Sequence, residues 1–352
     1  MRGVNWLGDA VMTTPALLRL RERFPDAHIT MFCPEKLREL WGHHPAINET
    51  ITFEGKARAW VTGRALRAGK FDLALVLPNS PRSAMEVFFA RIPQRIGYTR
   101  PWRNFFLTRT VASRLGAVGM HKRTEAEIKA LIASPPAAPA PYPAAAHQSF
   151  EYLHLTAALG ANPEPLAPQL VVTSAEVEAV KKKFGLGALT RPVFGLNPGA
   201  EYGPAKRWPV EKFIATAKEV QAKTDCQWLI FGGKSDVATA TQIGNGIDHQ
   251  NLAGKTSLRE LMALLKLCRV LLTNDTGPMH IAAALGTPVV VPFGSTSPEL
   301  TGPLSMDGSR HQIIKSDAPC SPCFLRECPI DFRCLNGIGS DRVAAAVLQA
   351  VR

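Results

Sequence analysis

Residues 271–298 read LLTNDTGPMHIAAALGTPVVVPFGSTSP, an alternation of apolar runs and small polar turns. Leu271 to Thr273 ends a strand, Asn274 or Asp275 supplies a cap, Thr276 and Gly277 open the turn, and Pro278 to Leu285 forms a helix of small residues. PVVVPFG at 288–294 is the next strand, with Gly294, Ser295 and Thr296 at its end. Strand, helix, strand in this rhythm predicts a parallel sheet with helices on both faces. Backbone N–H groups at the helix start, the helix dipole and a glycine that admits close approach together make an anion site that suits a diphosphate. The plainer reading is a well-capped helix with His280 as a packing residue. The second small polar loop at the same sheet edge favours binding.

Working outward, the rhythm runs through the whole C-terminal half. PVFGLNPGA reads as strand and loop, PVEKFIATAKEVQAKT as helix, QWLIFGG as strand and LRELMALLKLC as helix, before RVLLTND begins the stretch above. The N-terminal half repeats it: AVMTTPALLRLRERF has apolar residues at helical spacing, HITMFCP alternates, and FDLALVLPNS is a short apolar run. At 352 residues the chain is long for one core and suits two domains. The expected architecture is α/β: two doubly wound Rossmann-like domains facing across a cleft, the GT-B arrangement, with ligands beyond the carboxyl ends of the strands. We expect an N-terminal Rossmann-like domain at 1–165, a connector at 166–190, a C-terminal Rossmann-like domain at 191–338 and a last helix at 339–352 that packs back on the N-terminal domain.

Three further features bear on that organisation. Only Met1 to Val4 precede the first loop, so the opening strand reads as clipped. SPPAAPAPYPAAA, at 134–146, is Pro/Ala-rich and reads as an exposed loop. No cationic segment and apolar run precede Gly3, and no apolar stretch approaches a membrane span, so the expected location is the cytoplasm.

Charge is unevenly placed. The formal net charge is +12, and residues 1–162 hold 21 Lys and Arg against 12 Asp and Glu. That half therefore faces the more acidic partner, unless the excess is only a solvated basic surface. Nucleic acid is disfavoured: aromatic residues make up 7% of the chain, with no zinc-finger spacing and no aromatic-rich RNA-binding strand. A Rossmann dehydrogenase is disfavoured because no G-x-G-x-x-G follows a strand with an acid about 20 residues later.

Two more loops carry chemistry. NPGAEYGPAKRWP, at 197–209, follows a strand end, and Lys206 there can neutralise charge on a leaving phosphate, the alternative being a solvated surface lysine. GVNWLGDAVM, at 3–12, places Gly8 for close passage of a substrate and Asp9 near a helix start, where a carboxylate can take a proton from a sugar hydroxyl or simply cap the helix.

These motifs, in this order, resemble the bacterial lipopolysaccharide heptosyltransferases, glycosyltransferase family 9, nearest the heptosyltransferase II type. The resemblance runs nearly the whole chain, through NWLGDAVMTTPAL, VLPNSPRSA, RIGY, NPGAEYGPAKRWP, FGGKSD, NLAGKTSL, NDTGPMHIAAALG and PFGSTSP. It implies inverting, metal-independent transfer of L-glycero-D-manno-heptose from ADP-heptose to a heptose of the inner core, the second heptose; transfer of the first or third, or a sugar-nucleotide-binding protein without catalysis, are the alternatives. By motif position Asp9 takes the base role and Lys206 the phosphate contact. Gly199, Asn274, Asp275, Thr276, Gly277, His280 and Gly294 fall on the donor side, with Asp236 as a nucleoside contact. Asn5, Gly8, Asn79 and Arg82 fall on the acceptor side.

Arg82, Arg95, Arg100 and Arg103 suit a phosphorylated, Kdo-containing lipid A core displayed at the inner face of the inner membrane, with which the protein makes peripheral contact. The sequence departs from the family at Phe293, where an aromatic-Gly pair usually reads Tyr-Gly, and at 134–146.

Seven cysteines remain. Cys33, Cys226 and Cys268 read as small core residues. Cys320, Cys323, Cys328 and Cys334 lie in a Pro-rich loop, where four thiols suit structural zinc or an iron–sulfur cluster, one or two disulfides, or free packing. No cofactor is expected for catalysis.

Overall fold

A computed structural model describes residues 1–55, 58–136, 142–143, 145–187, 190–305 and 310–352. By internal contact the chain forms two units, Met1–Ala117 with Ala145–Val171, and Val118–Ala144 with Val172–Arg352.

The strands of the first unit are β1 (Thr30–Pro34), β2 (Glu49–Phe53), β3 (Leu73–Val76), β4 (Gln94–Tyr98) and β5 (Arg109–Val111). β1 pairs with β2 and β3 with β4 and β5, all in parallel. Arg2 bridges Phe32 of β1 and Val76 of β3, giving the order β2-β1-Arg2-β3-β4-β5. The opening strand is short, as its sequence suggests, yet it occupies the centre of the sheet. Arg2 N–H donates to Leu75, Leu77 N–H to Arg2 and Gly3 N–H to Phe32. Phe32, Ala74, Val76, Val87 and Leu107 form part of the core beside it.

Beyond the opening strand the single expected helix is two, Leu7–Met12 and Thr14–Arg23, which meet at Thr13. The Thr13 and Thr14 hydroxyls donate to Ala10 and Val11 carbonyls, the local competition that bends or breaks helices.

The second unit holds β6 (Val193–Asn197), β7 (Gln227–Ile230), β8 (His249–Asn251), β9 (Leu271–Thr273), β10 (Val289–Phe293) and β11 (Gln312–Lys315). All are parallel, in the order β11-β10-β9-β6-β7-β8. The chain winds from β6 out to β8, returns to β9 and winds the other way, so the switch point lies between β6 and β9. Open parallel sheets bind ligands at that crevice. The core joins Phe194, Trp208, Phe213, Trp228, Leu272 and Val290, every one of them buried.

The last helix, Ser340–Ala350, places Val343, Ala344, Val347 and Ala350 in the second unit's core. By internal contact, Val118–Ala144 and the chain from Val172 onward group with the second unit. Residues 118–144 join the second unit because Arg123 donates to the Cys320 and Cys323 carbonyls while Ile128 packs on both cysteines. Helix Ser174–Lys183 joins it through Glu176 with Arg259 and Lys183 with Glu260. Of the Pro/Ala stretch, residues 137–141 and 144 lie outside the described residues, while Ser134 to Pro136 and Pro143 are exposed.

Candidate functional site

The second unit's site grows from the loops after β6, β9 and β10. Asn197 ends β6, and its amide donates to Thr273 Oγ1 at 3.2 Å, locking the ends of β6 and β9 together. Asn274 is not a helix cap. Its Oδ1 accepts from Trp208 N–H at 3.0 Å and its Nδ2 donates to the Pro198 carbonyl at 2.7 Å, so it ties the loop after β6 to β9. Thr276 holds the cap position of helix Gly277–Ala284 without a side-chain cap bond, and Pro278 lies in the first turn. His280 is buried on that helix, and Gly277 opens it.

Trp208 is the anchor of the lysine loop. It is buried, its indole N–H donates to the Ile338 carbonyl at 3.2 Å, and its ring meets Phe213 edge-on at 5.0 Å. Burial of such a side chain stabilises by roughly 2–3 kcal/mol. Two residues earlier Lys206 is thereby fixed with Nζ 2.6 Å from Asp275 Oδ2, and it lies over the Tyr202 ring at 5.0 Å. The same carboxylate oxygen accepts from Thr296 Oγ1 at 2.6 Å. Three loops thus converge on one charge: Lys206 from after β6, Asp275 from after β9, Thr296 from after β10.

Asp236 belongs to the loop after β7, and its Oδ2 accepts from Gly233 N–H at 2.8 Å. Its carboxylate lies against Gly199: a Cβ there would come within 2.5 Å of Asp236 Oδ2. Gly199 and Asp236 are therefore neighbours, and only glycine leaves room for that carboxylate. Gly294 is small for another reason, since a Cβ would meet Leu335 at 2.6 Å and Cys334 Sγ at 3.1 Å, and its carbonyl accepts from Ser321.

Cys320, Cys323, Cys328 and Cys334 line one small pocket with Ser295 and Arg333. All are free thiols, and among the described residues no group of three or more His, Cys, Asp or Glu side chains is arranged to hold a metal ion. Burial pushes the Cys334 thiol up to about 12, and the neighbouring sulfurs add to that. The loop that carries them buttresses the site. Cys323 and Phe324 N–H groups donate to Ser295, Tyr202 Oη donates to Phe324, and Ala205 N–H donates to Arg326.

In the first unit Asp9 sits in the first turn of helix Leu7–Met12, just beyond the central strand at that sheet's switch point; Trp6, not Asp9, takes the cap position. Tyr152 is its neighbour from helix Ser149–Ala157. Burial pushes the Tyr152 phenol well above its ordinary range, and the charge of Asp9 adds to the shift. Asn5 Oδ1 accepts from Arg2 at 3.2 Å, and Arg2 forms a buried ion pair with Glu86 at 2.6 Å. Arg82 reaches the other oxygen of Glu86 at 3.2 Å. Asn79 accepts from the fully buried Arg103 at 3.1 Å, and burial lowers that guanidinium to about 10. Gly8 precedes Asp9 in the same turn.

Asn5, Asn79 and Arg82 are thus tied into contacts with Arg2, Arg103 and Glu86. Tyr152, Arg2 and Glu86 were not among the residues singled out by sequence, and Thr296 was named there without a role of its own. Thr296 lay within a recognised loop, whereas nothing in the spacing around Tyr152 or Glu86 marks either.

The family model that matches the chain is Glycosyltransferase family 9 (heptosyltransferase), over residues 59–332. The chain belongs to that family. This family 9 chain is a glycosyltransferase of GT-B fold. It is 33% identical over 318 residues to lipopolysaccharide heptosyltransferase 2 of Salmonella typhimurium, covering 86% of this chain and 84% of that one. Against lipopolysaccharide heptosyltransferase 2 of Escherichia coli K12 it is 32% identical over 338 residues, 90% of each chain. The solved structure of E. coli ADP-heptose LPS heptosyltransferase II is similar with a TM-score of 0.78 at 29% identity, covering 99% of this chain and 97% of the other.

Proposed function

We propose that this family 9 glycosyltransferase moves L-glycero-D-manno-heptose from ADP-heptose to a heptose of the lipopolysaccharide inner core, with inversion, adding the second heptose. The observation that carries this reading is the convergence of Lys206, Asp275 and Thr296 at the switch point, in a chain whose relatives over nine-tenths of their length are heptosyltransferases of the second type.

The chemistry is a single displacement. The acceptor hydroxyl attacks the anomeric carbon of the donor, its proton passes to the Asp9 carboxylate, the bond from that carbon to the diphosphate oxygen breaks, and ADP departs. Lys206, with the helix start at Gly277, receives the charge that develops on the diphosphate. Asp275 is a positioning residue: a carboxylate would repel the diphosphate, but it holds the lysine in place. Gly199 and Asp236 serve the nucleoside side. Asn274, Thr276, His280 and Gly294 shape the donor loops. Asn5, Gly8, Asn79 and Arg82 serve an acceptor that carries Kdo and lipid A, met by peripheral contact at the inner face of the inner membrane.

No cofactor enters these steps. The four-cysteine loop has a structural role, and its thiols would have to draw closer together to hold zinc or an iron–sulfur group. Elemental analysis of freshly reduced protein that finds neither zinc nor iron reduces this to packed thiols.

The test of the main reading is incubation with ADP-heptose and two truncated acceptors, one ending in Kdo and one bearing a single heptose. Transfer to the heptose-bearing acceptor alone is expected. Transfer to the Kdo-terminated acceptor would overturn the assignment to the second heptose.

A further inference from the structure

Residues 58–109 hold ten Lys and Arg against two Asp and Glu, and one of the two acids, Glu86, is fully buried against Arg2 and Arg82. The same stretch carries the most exposed aromatic rings of the first unit: Trp102 is 89% exposed, Phe105 82% and Trp60 49%. Water-exposed aromatic rings beside so many cations make little sense for a free surface.

We propose that the surface built by helix Ala59–Leu66, helix Pro81–Phe89 and the turn at Asn104–Phe106 docks on an anionic lipid bilayer. This inference rests on the peripheral membrane contact of the reading above, and names the surface that makes it.

The three elements form one continuous patch. Helix Ala59–Leu66 lies close on helix Pro81–Phe89 at Gly63, where a Cβ would come within 2.6 Å of Phe89 Cβ. Phe88 on the second helix meets Phe105 at 6.2 Å and Phe106 at 5.4 Å between ring centres. Arg95 lies over the Phe88 ring at 5.5 Å, and Arg67 donates to the Phe89 carbonyl at 3.0 Å. Among the described residues no carboxylate pairs with Arg64, Arg67, Lys70 or Arg91, all of which are exposed. Rings with cations around them match the interface of a bilayer, where aromatic side chains sit at headgroup level and basic side chains face anionic headgroups.

The backbone adds a second argument. Trp102 and Arg91 both adopt left-handed conformations, with φ of 62° and 58°, at exposed positions where a glycine or asparagine would be at ease. Unfavourable backbone retained on behalf of an exposed tryptophan points to a use for that ring. A protein partner would be expected to offer carboxylates to so basic a face. A bilayer offers phosphate charge and an apolar interior together, which fits rings and cations at once.

The experiment is co-sedimentation of the full chain with phosphatidylcholine vesicles, with and without phosphatidylglycerol. Wild-type protein is expected to pellet with the phosphatidylglycerol vesicles and to be released by high salt. Trp102→Ser with Phe105→Ser should weaken partition about tenfold. Arg64→Glu with Arg67→Glu and Arg91→Glu should abolish the preference for anionic lipid. Both variants should keep wild-type transfer to a short, deacylated, water-soluble acceptor, which shows that they fold.

Equal recovery of wild type from both vesicle types, or unchanged partition of the Trp102/Phe105 variant, overturns the proposal. A wild-type protein that pellets as expected but transfers no heptose would instead count against the reaction and leave the surface standing.

Discussion

At the switch point of the first unit the buried charges are Arg2 and Glu86, with 4% and 0% of their side chains exposed; at that of the second they are Lys206 and Asp275, with 15% and 5%. Both sheets have the same strand order, reversing at the strand nearest these charges. The first pair is closed in on all sides. Arg2 also lies over the rings of Phe32 and Phe53, at 5.5 and 4.7 Å, and Arg82 completes the shell around Glu86. The second pair retains some exposure, at Lys206, and is made by loops. A charge pair sealed inside a sheet sets the position of a strand, and one that retains exposure at strand ends is available to a ligand. The base we propose in the first unit is accordingly not its buried pair but Asp9, in the first turn of helix Leu7–Met12.

The largest test of that distinction is Asp9→Asn. It keeps the size of the side chain and removes the base, so turnover should fall on the order of 10²–10⁴-fold while ADP affinity, read by calorimetry, stays at the wild-type value. Turnover within a few-fold of wild type would move the base elsewhere and leave the first unit's switch point purely structural.

Glu86→Leu comes next. It leaves Arg2 buried without a counter-charge and should cost about 3–5 kcal/mol of stability, with donor affinity in the surviving folded protein unchanged. Adding Arg2→Met should recover most of the loss, because two apolar residues can replace a sealed pair. A Glu86→Leu protein that melts like wild type would show that the pair does not hold the central strand.

Lys206→Ala is the converse. ADP affinity and turnover should both fall, together about a hundredfold in kcat/KM. The remaining Asp275 keeps Thr296 as a partner but carries an uncompensated charge. Lys206→Ala with Asp275→Asn should therefore restore the melting temperature without restoring donor affinity. Recovery of affinity in that double variant would make Asp275 the donor's obstacle and not the lysine's positioner.

These contrasts also mark what could be read beforehand. β6, β9 and β10 were legible because their burial on both faces demands continuous apolar runs, VFGLN, LLT and VVVPF. The edge strands β5 and β8, RTV and HQN, carry polar and partly exposed residues that no apolar run announces. Lys206 and Asp275 were legible as loop residues after strand ends, but their direct pairing was not: they lie far apart in sequence, and the strand order that joins their loops is a property of the whole sheet. The excursion of residues 118–144 into the second unit was equally hidden, because Arg123 and Ile128 find their partners near residue 320.

The smallest effect concerns helix Ser174–Lys183, which the contact units assign to the second sheet. Glu176 closes a capping box with Thr173 and pairs with Arg259 at 2.6 Å. Arg259, with help from Thr173, holds the Glu176 carboxyl down at about 2. A carboxylate whose folded value is depressed contributes stability that is fully present above its unfolded value, near 4.5, and is lost as pH falls toward 2. Glu176→Gln should therefore cost about 1 kcal/mol at neutral pH, allowing for the partial exposure of both partners. The difference from wild type should stay constant down to about pH 5 and close below it. A gap that instead persists at low pH would mean that glutamine disturbs the packing of the helix, and that the ion pair is not what joins it to helix Leu258–Leu267.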